Sequence, residues 1–296
     1  MKKLLVIGNY GFIGTNVVSR LVGLDIYTAD VIGNGQKHFK IDQKNPDFEK
    51  IFSSVQPDFC VNASGAANVS ASFENPDQDR ALNLSNVELM LNAIAEKSTH
   101  TRFINLSSAA VYGSPKTLPI FEYSDLNPIS PYGVHKLEAE RLLQEFAEKK
   151  SLKTLSLRVF SCYGNGQKKL LFWDIFSKAR SNNFKEIELF GSGEESRDYI
   201  HVYDLVDLIY LCFDKAEFDG QSINAASGKE SFIKEVAQLA AFYIDPKLTI
   251  RFSGCSRIGD PLRWRADVSH ITNLGFESKI ELKDGLSAYY EWVRRG

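Results

Sequence analysis

The N-terminal half of the sequence alternates short β-rich runs with stretches that have the apolar spacing of helices. Helical patterns begin at Phe12, cover about Asp77 to Glu96, and follow Ser130 and Pro131, which suit a helix cap and a first turn. The β-rich runs are KKLLVIG, DIYTAD, HFKID, FCVNAS, TRFINLSS and LKTLSLRVF. Strands that alternate with helices form βαβ units, whose parallel sheet is covered on both faces. The sequence therefore predicts an α/β fold with a doubly wound parallel sheet.

After about Phe160 the pattern loosens into mixed helices, short strands and loops. We expect one domain over residues 1–160 and a smaller, mixed α/β, substrate-binding region over 161–296. RDYIHV and QSINAA are plausible strands, so segments from about 198–226 are expected to return to the main sheet.

Composition and charge narrow the class of partner. With 44% hydrophobic residues the chain can bury a substantial core, and 35 Lys and Arg nearly balance 37 Asp and Glu. This balance offers no general attraction to nucleic acid or to a membrane surface. The apolar runs are too short for a membrane span, and the first residues lead into a strand rather than a signal peptide. A cytoplasmic protein with a small-molecule partner is expected.

Four scattered cysteines, Cys60, Cys162, Cys212 and Cys255, form no CxxC pair. Neither a metal site nor a disulfide framework is expected from them. Cys162 has no neighbouring base, so a buried thiol is a better interpretation than a nucleophile.

A glycine-rich turn joins the first strand to the first helix. Gly8, Gly11 and Gly14 in VIGNYGFIG have the spacing GxxGxxG. Glycines allow the backbone to approach a pyrophosphate, whose charge is stabilised by the N-terminus of the helix. Such turns also occur for packing alone, but after a strand and before a helix this one predicts a Rossmann-type dinucleotide site.

Two aspartates follow strand ends downstream. Asp30 ends DIYTAD, where a carboxylate can bind the adenosine ribose hydroxyls and repel a 2′-phosphate. NAD is therefore favoured over NADP. Asp42, in FKIDQ, is placed to meet the adenine amino group, although aspartates in such positions also form turns.

Three further side chains can form a proton-transfer site. Tyr132 and Lys136 lie four residues apart in PYGVHK, so both project from one helix face. A nearby ammonium stabilises tyrosinate and lowers the pKa of the phenol. Ser108 ends the preceding strand, at the sheet edge where open α/β folds bind ligands. Together they predict a base, a cation and a hydroxyl around one substrate oxygen.

These motifs in order resemble the extended short-chain dehydrogenase/reductase family, in its NAD-dependent nucleotide-sugar epimerase/dehydratase group. The resemblance covers nearly the whole chain. It rests on GNYGFIG, on Asp30 and Asp42, and on SSAAVYG, YGVHK, LRVFSCYGNGQ, GSGEESRDYIHVYDL and RIGDPLRWRAD.

The resemblance implies roles for named residues. Tyr132 would move the proton of a sugar hydroxyl while hydride passes to or from the nicotinamide, Ser108 would polarise the oxygen, and Lys136 would also hold the nicotinamide ribose. The implied cofactor site comprises Gly8, Gly11, Phe12, Ile13, Gly14, Asp30, Asp42, Gln43, Ala63, Ser107, Tyr132, Lys136 and Phe160. The implied substrate site comprises Ser108, Ser161, Arg197, Arg257 and Asp260.

Some of these residues have plainer interpretations. The arginines suit a diphosphate, yet surface salt bridges to Asp198 or Asp260 are an equally simple explanation. Ser161 stands where the family usually has asparagine, and Asn62 where it usually has histidine.

Ala109 and Ala110 constrain the chemistry. Family members that dehydrate nucleotide sugars have an Asp-Glu pair at this place, and elimination of water needs such a donor and base. Methyl groups can serve as neither, so dehydratase activity is disfavoured. A nucleotide-diphosphate-sugar 4-epimerase with resident NAD is the favoured function.

The sequence leaves two alternative functions and the role of four leucines open. The compact length also suits an NAD(P)H-dependent 4-ketoreductase of deoxysugar synthesis, and a catalytically inactive dinucleotide-binding regulator is a further alternative. Either enzyme would serve cell-surface polysaccharide synthesis. Family members commonly form homodimers through the helices that hold Asp77–Glu96 and Pro131–Lys150, and Leu82, Leu89, Leu137 and Leu142 either supply that contact or face the sheet.

Overall fold

The computed structural model describes residues 1–183, 185–255 and 259–295. The strands are β1 (Lys3–Ile7), β2 (Asp25–Asp30), β3 (His38–Lys40), β4 (Phe59–Asn62), β5 (Arg102–Ser108), β6 (Lys153–Val159), β7 (Ser161–Tyr163), β8 (Glu186–Leu189), β9 (Ser196–His201), β10 (Asp219–Ala225), β11 (Glu230–Phe232) and β12 (Thr249–Phe252). The α-helices are α1 (Phe12–Arg20), α2 (Phe48–Val55), α3 (Val69–Glu74), α4 (Pro76–Arg80), α5 (Asn86–Lys97), α6 (Pro131–Lys150), α7 (Leu170–Ser181), α8 (Val202–Lys215), α9 (Ile233–Ile244), α10 (Ser269–Asn273) and α11 (Leu282–Arg295). A π-helical turn spans Ala81–Ser85 and a 3₁₀ turn spans Ala109–Tyr112.

The central sheet has the strand order β10-β6-β5-β4-β1-β2-β3, and all its neighbouring strands are parallel. The chain runs outward from β1 to β3 and then returns to the other side of β1 with β4. This reversal confirms the predicted doubly wound fold and creates a switch point between β1 and β4, where such sheets bind ligands.

Helices bury both faces of the sheet. On one face α1 and α8 pack through residues such as Val17, Leu205 and Ile209. On the other face α2, α5 and α6 contribute Phe52 and Met90 among others. Because both faces are covered, a central strand such as β4 is buried along its whole length.

The last strand of the sheet comes from late in the chain. β10 pairs with β6 as an edge strand, and α8 packs against α1. The expectation that RDYIHV also joins the main sheet is wrong, because β9 pairs with β7 and β11 in a separate three-stranded sheet. β10 occupies the edge of β6 that β5 leaves free, and β9 pairs instead with β7, which follows β6 after one residue.

A second core lies in the smaller region. It is formed by α7, α9 and α11 with β8, β9 and β12, and it contains Phe172, Tyr199 and Tyr289. None of the helices within residues 1–183, 185–255 and 259–295 is long and apolar enough to cross a membrane.

The predicted helix over Asp77–Glu96 exists but is not uniform. It begins as α4, passes through the π turn and continues as α5. The π turn holds Asn83, whose Nδ2 donates to the Ala66 carbonyl at 3.1 Å and to Asp79 Oδ1 at 3.0 Å. The inserted residue thus turns a polar side chain toward the loop after β4, as π turns at functional sites often do.

A buried ion pair joins α6 to the sheet. Arg158 on β6 contacts Glu140 on α6 with Nη2 to Oε2 at 2.8 Å, and both side chains are almost fully buried. Ser107 donates its hydroxyl to Glu140 Oε1 at 2.5 Å. Arg158 also donates to the Tyr112 hydroxyl at 2.8 Å, which donates in turn to Asn224 Oδ1 at 2.6 Å. One network therefore connects β5, the 3₁₀ turn, α6, β6 and β10.

We expect Arg158→Met to lower the free energy of unfolding by about 3–5 kcal/mol, because it leaves the Glu140 carboxylate buried without its partner. Urea denaturation at neutral pH measures this. Replacing both residues by methionine should cost less than replacing Arg158 alone.

The matched control is Lys149→Met, which breaks the exposed pair with Glu145 on the same helix and should change stability little. An Arg158→Met protein as stable as this control would show that the buried pair does not hold α6.

Candidate active site

The glycine turn lies at the switch point of the sheet. Gly8 has a φ of +85°, and a Cβ there would lie 2.6 Å from the Ser64 backbone nitrogen. A Cβ on Gly14 would lie 2.1 Å from the Gly8 carbonyl oxygen. Gly11 caps α1 without any side-chain hydrogen bond, so the amides of Phe12 and the first turn are left for an anion. This geometry fits the pyrophosphate of a dinucleotide.

The Asp30 carboxylate lies beside this turn. Its Oδ2 accepts the Tyr10 amide at 2.9 Å and its Oδ1 accepts the Val31 amide at 2.7 Å. Each oxygen keeps a lone pair for a ribose hydroxyl. The predicted dinucleotide residues thus meet at one edge of the sheet, and they fit NAD.

Other predicted cofactor residues lie around the same edge. Ala63 follows β4 and donates its amide to the Ile7 carbonyl at 2.9 Å. Asp42 and Gln43 are exposed just after β3, and Asp42 accepts the Lys44 amide at 2.9 Å. This turn-forming bond uses one Asp42 oxygen, so an adenine contact for Asp42 stays a prediction.

Ser108, Tyr132 and Lys136 converge where β5 ends and α6 begins. The Ser130 hydroxyl caps α6 by accepting the Gly133 amide at 3.1 Å, which confirms the predicted cap. The Lys136 Nζ donates to the Leu106 carbonyl at 2.8 Å and lies 5.8 Å from the centre of the Tyr132 ring. Tyr132 and Lys136 are both buried, so their proton equilibria are governed by neighbours rather than by bulk water.

Burial moves the pKa values of Tyr132 and Lys136 apart, because it disfavours the charged form of each side chain. It raises the pKa of Tyr132 to about 12, although a hydrogen bond with Ser108 lowers it in part. It lowers the pKa of Lys136 to about 8, which Asp79 and Glu140 partly oppose. The expected lowering of the tyrosine pKa by the lysine is therefore wrong for the protein alone, because desolvation outweighs an ammonium that is engaged with Leu106.

A buried histidine–aspartate pair lies near Tyr132 and Lys136. His135 on α6 is hydrogen-bonded through Nδ1 to Asp79 Oδ2 on α4 at 2.7 Å. Asp79 raises the pKa of both Tyr132 and Lys136 by its charge. It supplies a negative charge that favours the protonated form of each.

Ala109 and Ala110 are packed rather than open. Both are buried, and Ala110 donates its amide to the Ser108 Oγ at 3.2 Å. A Cβ on Gly133 would lie 2.6 Å from the Ala110 carbonyl oxygen, so α6 and the 3₁₀ turn are in close contact. The place where an elimination would need an acid and a base is therefore filled by methyl groups and backbone.

Two neighbouring predicted residues have their side chains engaged elsewhere. The Ser107 hydroxyl is held by Glu140, which leaves only its backbone for a cofactor contact. Phe160 is buried and lies edge-on to Trp264, with ring centroids 6.0 Å apart.

Apart from Ser108 at the end of β5, the predicted substrate residues belong to the smaller region, with Ser161 on β7 and Arg197 on β9. Arg197 donates to the Ser196 and Pro261 carbonyls at 2.8 and 2.9 Å, and its Nη2 is 3.8 Å from Asp260 Oδ1. Ser161 starts β7 and is half-buried. Arg257 lies outside the described residues. The predicted salt bridge of Arg197 to Asp260 is present but long.

Asp198 does not pair with Arg197. It is fully buried and accepts the amides of Ser227, Gly228 and Ala266 at 2.9, 3.0 and 3.1 Å. Burial raises its pKa to about 6. Adjacent strand residues face opposite sides, so Asp198 holds two loops together while Arg197 faces the ring of Trp264.

A sequence profile described as the NAD dependent epimerase/dehydratase family matches residues 4–226. The chain belongs to this family. A putative UDP-glucose 4-epimerase of Methanocaldococcus jannaschii is 25% identical, with 98% of each chain covered. The structure of UDP-glucose 4-epimerase from Thermotoga maritima has a TM-score of 0.87 and 26% identity over 99% of each chain. The protein MoeE5, solved in complex with UDP-glucose and NAD, has the same TM-score, identity and coverage.

Membership of the epimerase/dehydratase family confirms the resemblance found in the sequence, and NAD is the cofactor. The enzyme class is an extended short-chain dehydrogenase/reductase. The roles of the individual residues remain predictions.

Sequence reasoning missed several residues that shape this site. Glu140 stands one helical turn after Lys136, a spacing that places it on the same face, yet its partner Arg158 is remote in sequence. Nothing in the sequence pairs His135 with Asp79. Burial raises the pKa of the Cys162 thiol, which supports its interpretation as inert. Among the described residues, no His, Cys, Asp and Glu side chains cluster as a metal site would require.

We expect Asp79→Asn to shift the pH profile of kcat/KM to lower pH. Loss of the negative charge makes it easier for both Tyr132 and Lys136 to lose a proton, so both limbs of the profile should move in the same direction. Initial rates measured across the pH range check this. Asp77→Asn, on the exposed side of the same short helix, is the control and should leave the profile in place. A profile that does not move in Asp79→Asn would contradict the electrostatic role of Asp79.

Proposed function

We propose that this protein is a UDP-sugar 4-epimerase that retains NAD through its catalytic cycle. The observation that carries the proposal is the meeting of Ser108, Tyr132 and Lys136 next to buried Ala109 and Ala110. This set can move a proton and support hydride transfer, but it lacks the further acid and base that elimination of water requires. The relatives named as UDP-glucose 4-epimerases support the same reaction.

The residues would act on the C4 hydroxyl of the sugar. Tyr132 takes the hydroxyl proton in one direction and returns it in the other, so a full cycle leaves no proton behind. Ser108 would donate a hydrogen bond to the same oxygen, and the charge of Lys136 would stabilise the tyrosinate as it forms in the complex with substrate and cofactor. Bound NAD supplies a reversible hydride acceptor. Inversion requires the ketosugar to turn within the site before the carbon is reduced again.

The substrate diphosphate would bind opposite Tyr132. Arg197 is already fixed by two backbone carbonyls and by the face of Trp264, whose ring centroid is 5.5 Å from its Cζ. A guanidinium held in this way recognises phosphate oxygens with little loss of side-chain entropy. We assign Ser161, Asp260 and Arg257 to the same substrate site.

Chain length does not favour the ketoreductase. The UDP-glucose 4-epimerase of Thermotoga maritima covers 99% of this chain and is itself covered to 99%. Two alternatives can be tested directly. A 4-ketoreductase would bind its cofactor reversibly and consume it in a single reduction. An inactive dinucleotide-binding protein would turn over no sugar nucleotide.

We further propose a cytoplasmic homodimer formed through the surface of α5 and α6. Leu89 and Val134 are exposed on these helices, with 44% and 38% of their surfaces accessible. Leu137 cannot contribute, because only 6% of its surface is accessible. Leu142 packs partly against the core. The division into a dinucleotide domain over 1–160 and a substrate region over 161–296 is proposed with it, and from the predicted returning segment only α8 and β10 join the first domain.

We expect NAD to travel with the purified protein in a one-to-one ratio through gel filtration, because an epimerase returns its hydride and need not exchange its cofactor. Heat release followed by chromatography identifies the nucleotide. UDP-glucose should then be converted to UDP-galactose without added cofactor. An empty site that needs NADH or NADPH for a single reduction would instead identify a ketoreductase.

We expect Tyr132→Phe to reduce kcat by at least about 100-fold while NAD stays bound, since general acid-base catalysis contributes factors of this size. Conversion of the sugar nucleotide and the amount of bound NAD are measured on the same sample. The control is Tyr123→Phe, at an exposed tyrosine. Full activity in Tyr132→Phe would refute the assigned base.

A further inference from the structure

His135 is a buried histidine on α6 that takes no direct part in the proposed reaction. It stands directly before Lys136 and three residues after Tyr132, so His135 and Tyr132 are neighbours on the surface of the helix. A buried polar ring is normally hydrogen-bonded, and its partner indicates what the ring is placed to do.

The partner of His135 is the Asp79 carboxylate on α4. The His135 Nδ1 lies 2.7 Å from Asp79 Oδ2, and only 10% and 4% of the two side chains are exposed. A carboxylate can only accept hydrogen bonds, so the proton of this bond belongs to Nδ1 and His135 is the donor. A neutral imidazole that is protonated at Nδ1 is sufficient for this bond.

Asp79 is also held from a second side, by the π turn. The Asn83 Nδ2 donates to Asp79 Oδ1 at 3.0 Å and to the Ala66 carbonyl at 3.1 Å. Each Asp79 oxygen therefore accepts a hydrogen bond, and hydrogen bonds to a carboxylate favour its ionised form. Two donors from different elements also fix the direction in which this carboxylate points.

Asp79 differs from Glu140, the other buried carboxylate near Lys136. The charge of Glu140 is offset by Arg158 on β6, which also donates to Tyr112 of the 3₁₀ turn. Within residues 1–183, 185–255 and 259–295, Asp79 forms no ion pair with an arginine or a lysine. The other charged side chains on α3, on α4, at the start of α5, in the first half of α6 and on β10 are exposed, except for one that is half-buried: Glu74, Asp77, Arg80, Glu88 and Asp219 are exposed, and Glu138 is half-buried.

Burial makes the charge of Asp79 effective at Tyr132 and Lys136. Little solvent screens a charge in the interior, so it acts more strongly there than at the surface. Asp79 raises the pKa of both Tyr132 and Lys136. A carboxylate that turned away or took up a proton would withdraw this charge, and the hydrogen bond from His135 opposes both changes.

We propose that His135 is a positioning residue that keeps the Asp79 carboxylate ionised and in place, and that it thereby sets the pH range in which Tyr132 and Lys136 exchange their protons. The inference rests on the proposed epimerase site and adds a residue that acts through Asp79 rather than on the substrate. His135 acts as a neutral imidazole, because a charged imidazole would cancel the charge of Asp79.

The test compares pH profiles of kcat/KM for the epimerisation of UDP-glucose. His135→Phe keeps a ring but removes the donor, and we expect its profile to move to lower pH by about one unit, as loss of a nearby negative charge does. His135→Asn keeps an amide donor near the place of Nδ1 and should keep the wild-type profile. His135→Phe combined with Asp79→Asn should move the profile no further than Asp79→Asn alone.

The control is His100→Phe, which replaces an exposed histidine before β5, at the opposite end of that strand from Ser108. Its profile should stay in place. A wild-type profile in His135→Phe, or additive shifts in the double variant, would overturn the role of His135. A shift to higher pH in His135→Asn would also overturn it, because that shift would show that His135 carries a positive charge.

A second measurement does not depend on turnover. In nitrogen NMR of protein labelled at its histidine side chains, the His135 signals are assigned by their loss in His135→Asn. At neutral pH they should be those of a neutral ring protonated at Nδ1. A doubly protonated ring, or a ring protonated at Nε2 alone, would overturn the inference. A wild-type protein that shows the expected ring but does not convert UDP-glucose would instead overturn the epimerase proposal.

Discussion

The buried pair of Glu140 and Arg158 is the interaction on which the geometry of the site depends. Desolvation of both charges is costly, and the structure offsets this by saturating them with hydrogen bonds from Ser107 and to Tyr112. Ser107 immediately precedes Ser108, and Glu140 lies one turn beyond Lys136. The pair therefore holds the strand and the helix that carry the reacting groups in one relative position.

Burial of Tyr132 and Lys136 also determines their charges in the protein without ligands. A phenol with a pKa of about 12 and an amine with a pKa of about 8 leave a neutral Tyr132 and a largely charged Lys136 near neutral pH. Proton transfer to Tyr132 thus needs a change in the field around it. A bound dinucleotide would change that field, because an oxidised nicotinamide ring carries positive charge, and a substrate hydroxyl would add a hydrogen-bond partner. Because Tyr132 is buried, its readiness to accept a proton depends on the binding of cofactor and substrate.

Patterns in the sequence predicted the structural features that are set by residues close together in the chain. Glycine spacing, strand and helix alternation, the Ser130 cap and the four-residue spacing of Tyr132 and Lys136 all act within one or two turns of chain. The pairing of β9, the π turn and the partners of Glu140 and Asp79 could not be predicted in this way. Those features depend on contacts between residues 17 to 56 positions apart, as for Asn83 with Ala66 and Asp79 with His135, or on competition between sheets.

The late return of β10 to the sheet has a consequence for synthesis of the chain. The edge beside β6 stays open until residues 219–225 have left the ribosome, and only then can Asn224 accept the Tyr112 hydroxyl. A nascent chain that ends before residue 219 already contains Ser108, Tyr132 and Lys136, but it lacks β10, which completes the hydrogen-bond network beside them. The folding of the catalytic edge is therefore a late and non-local event, with an unpaired parallel strand exposed until it happens.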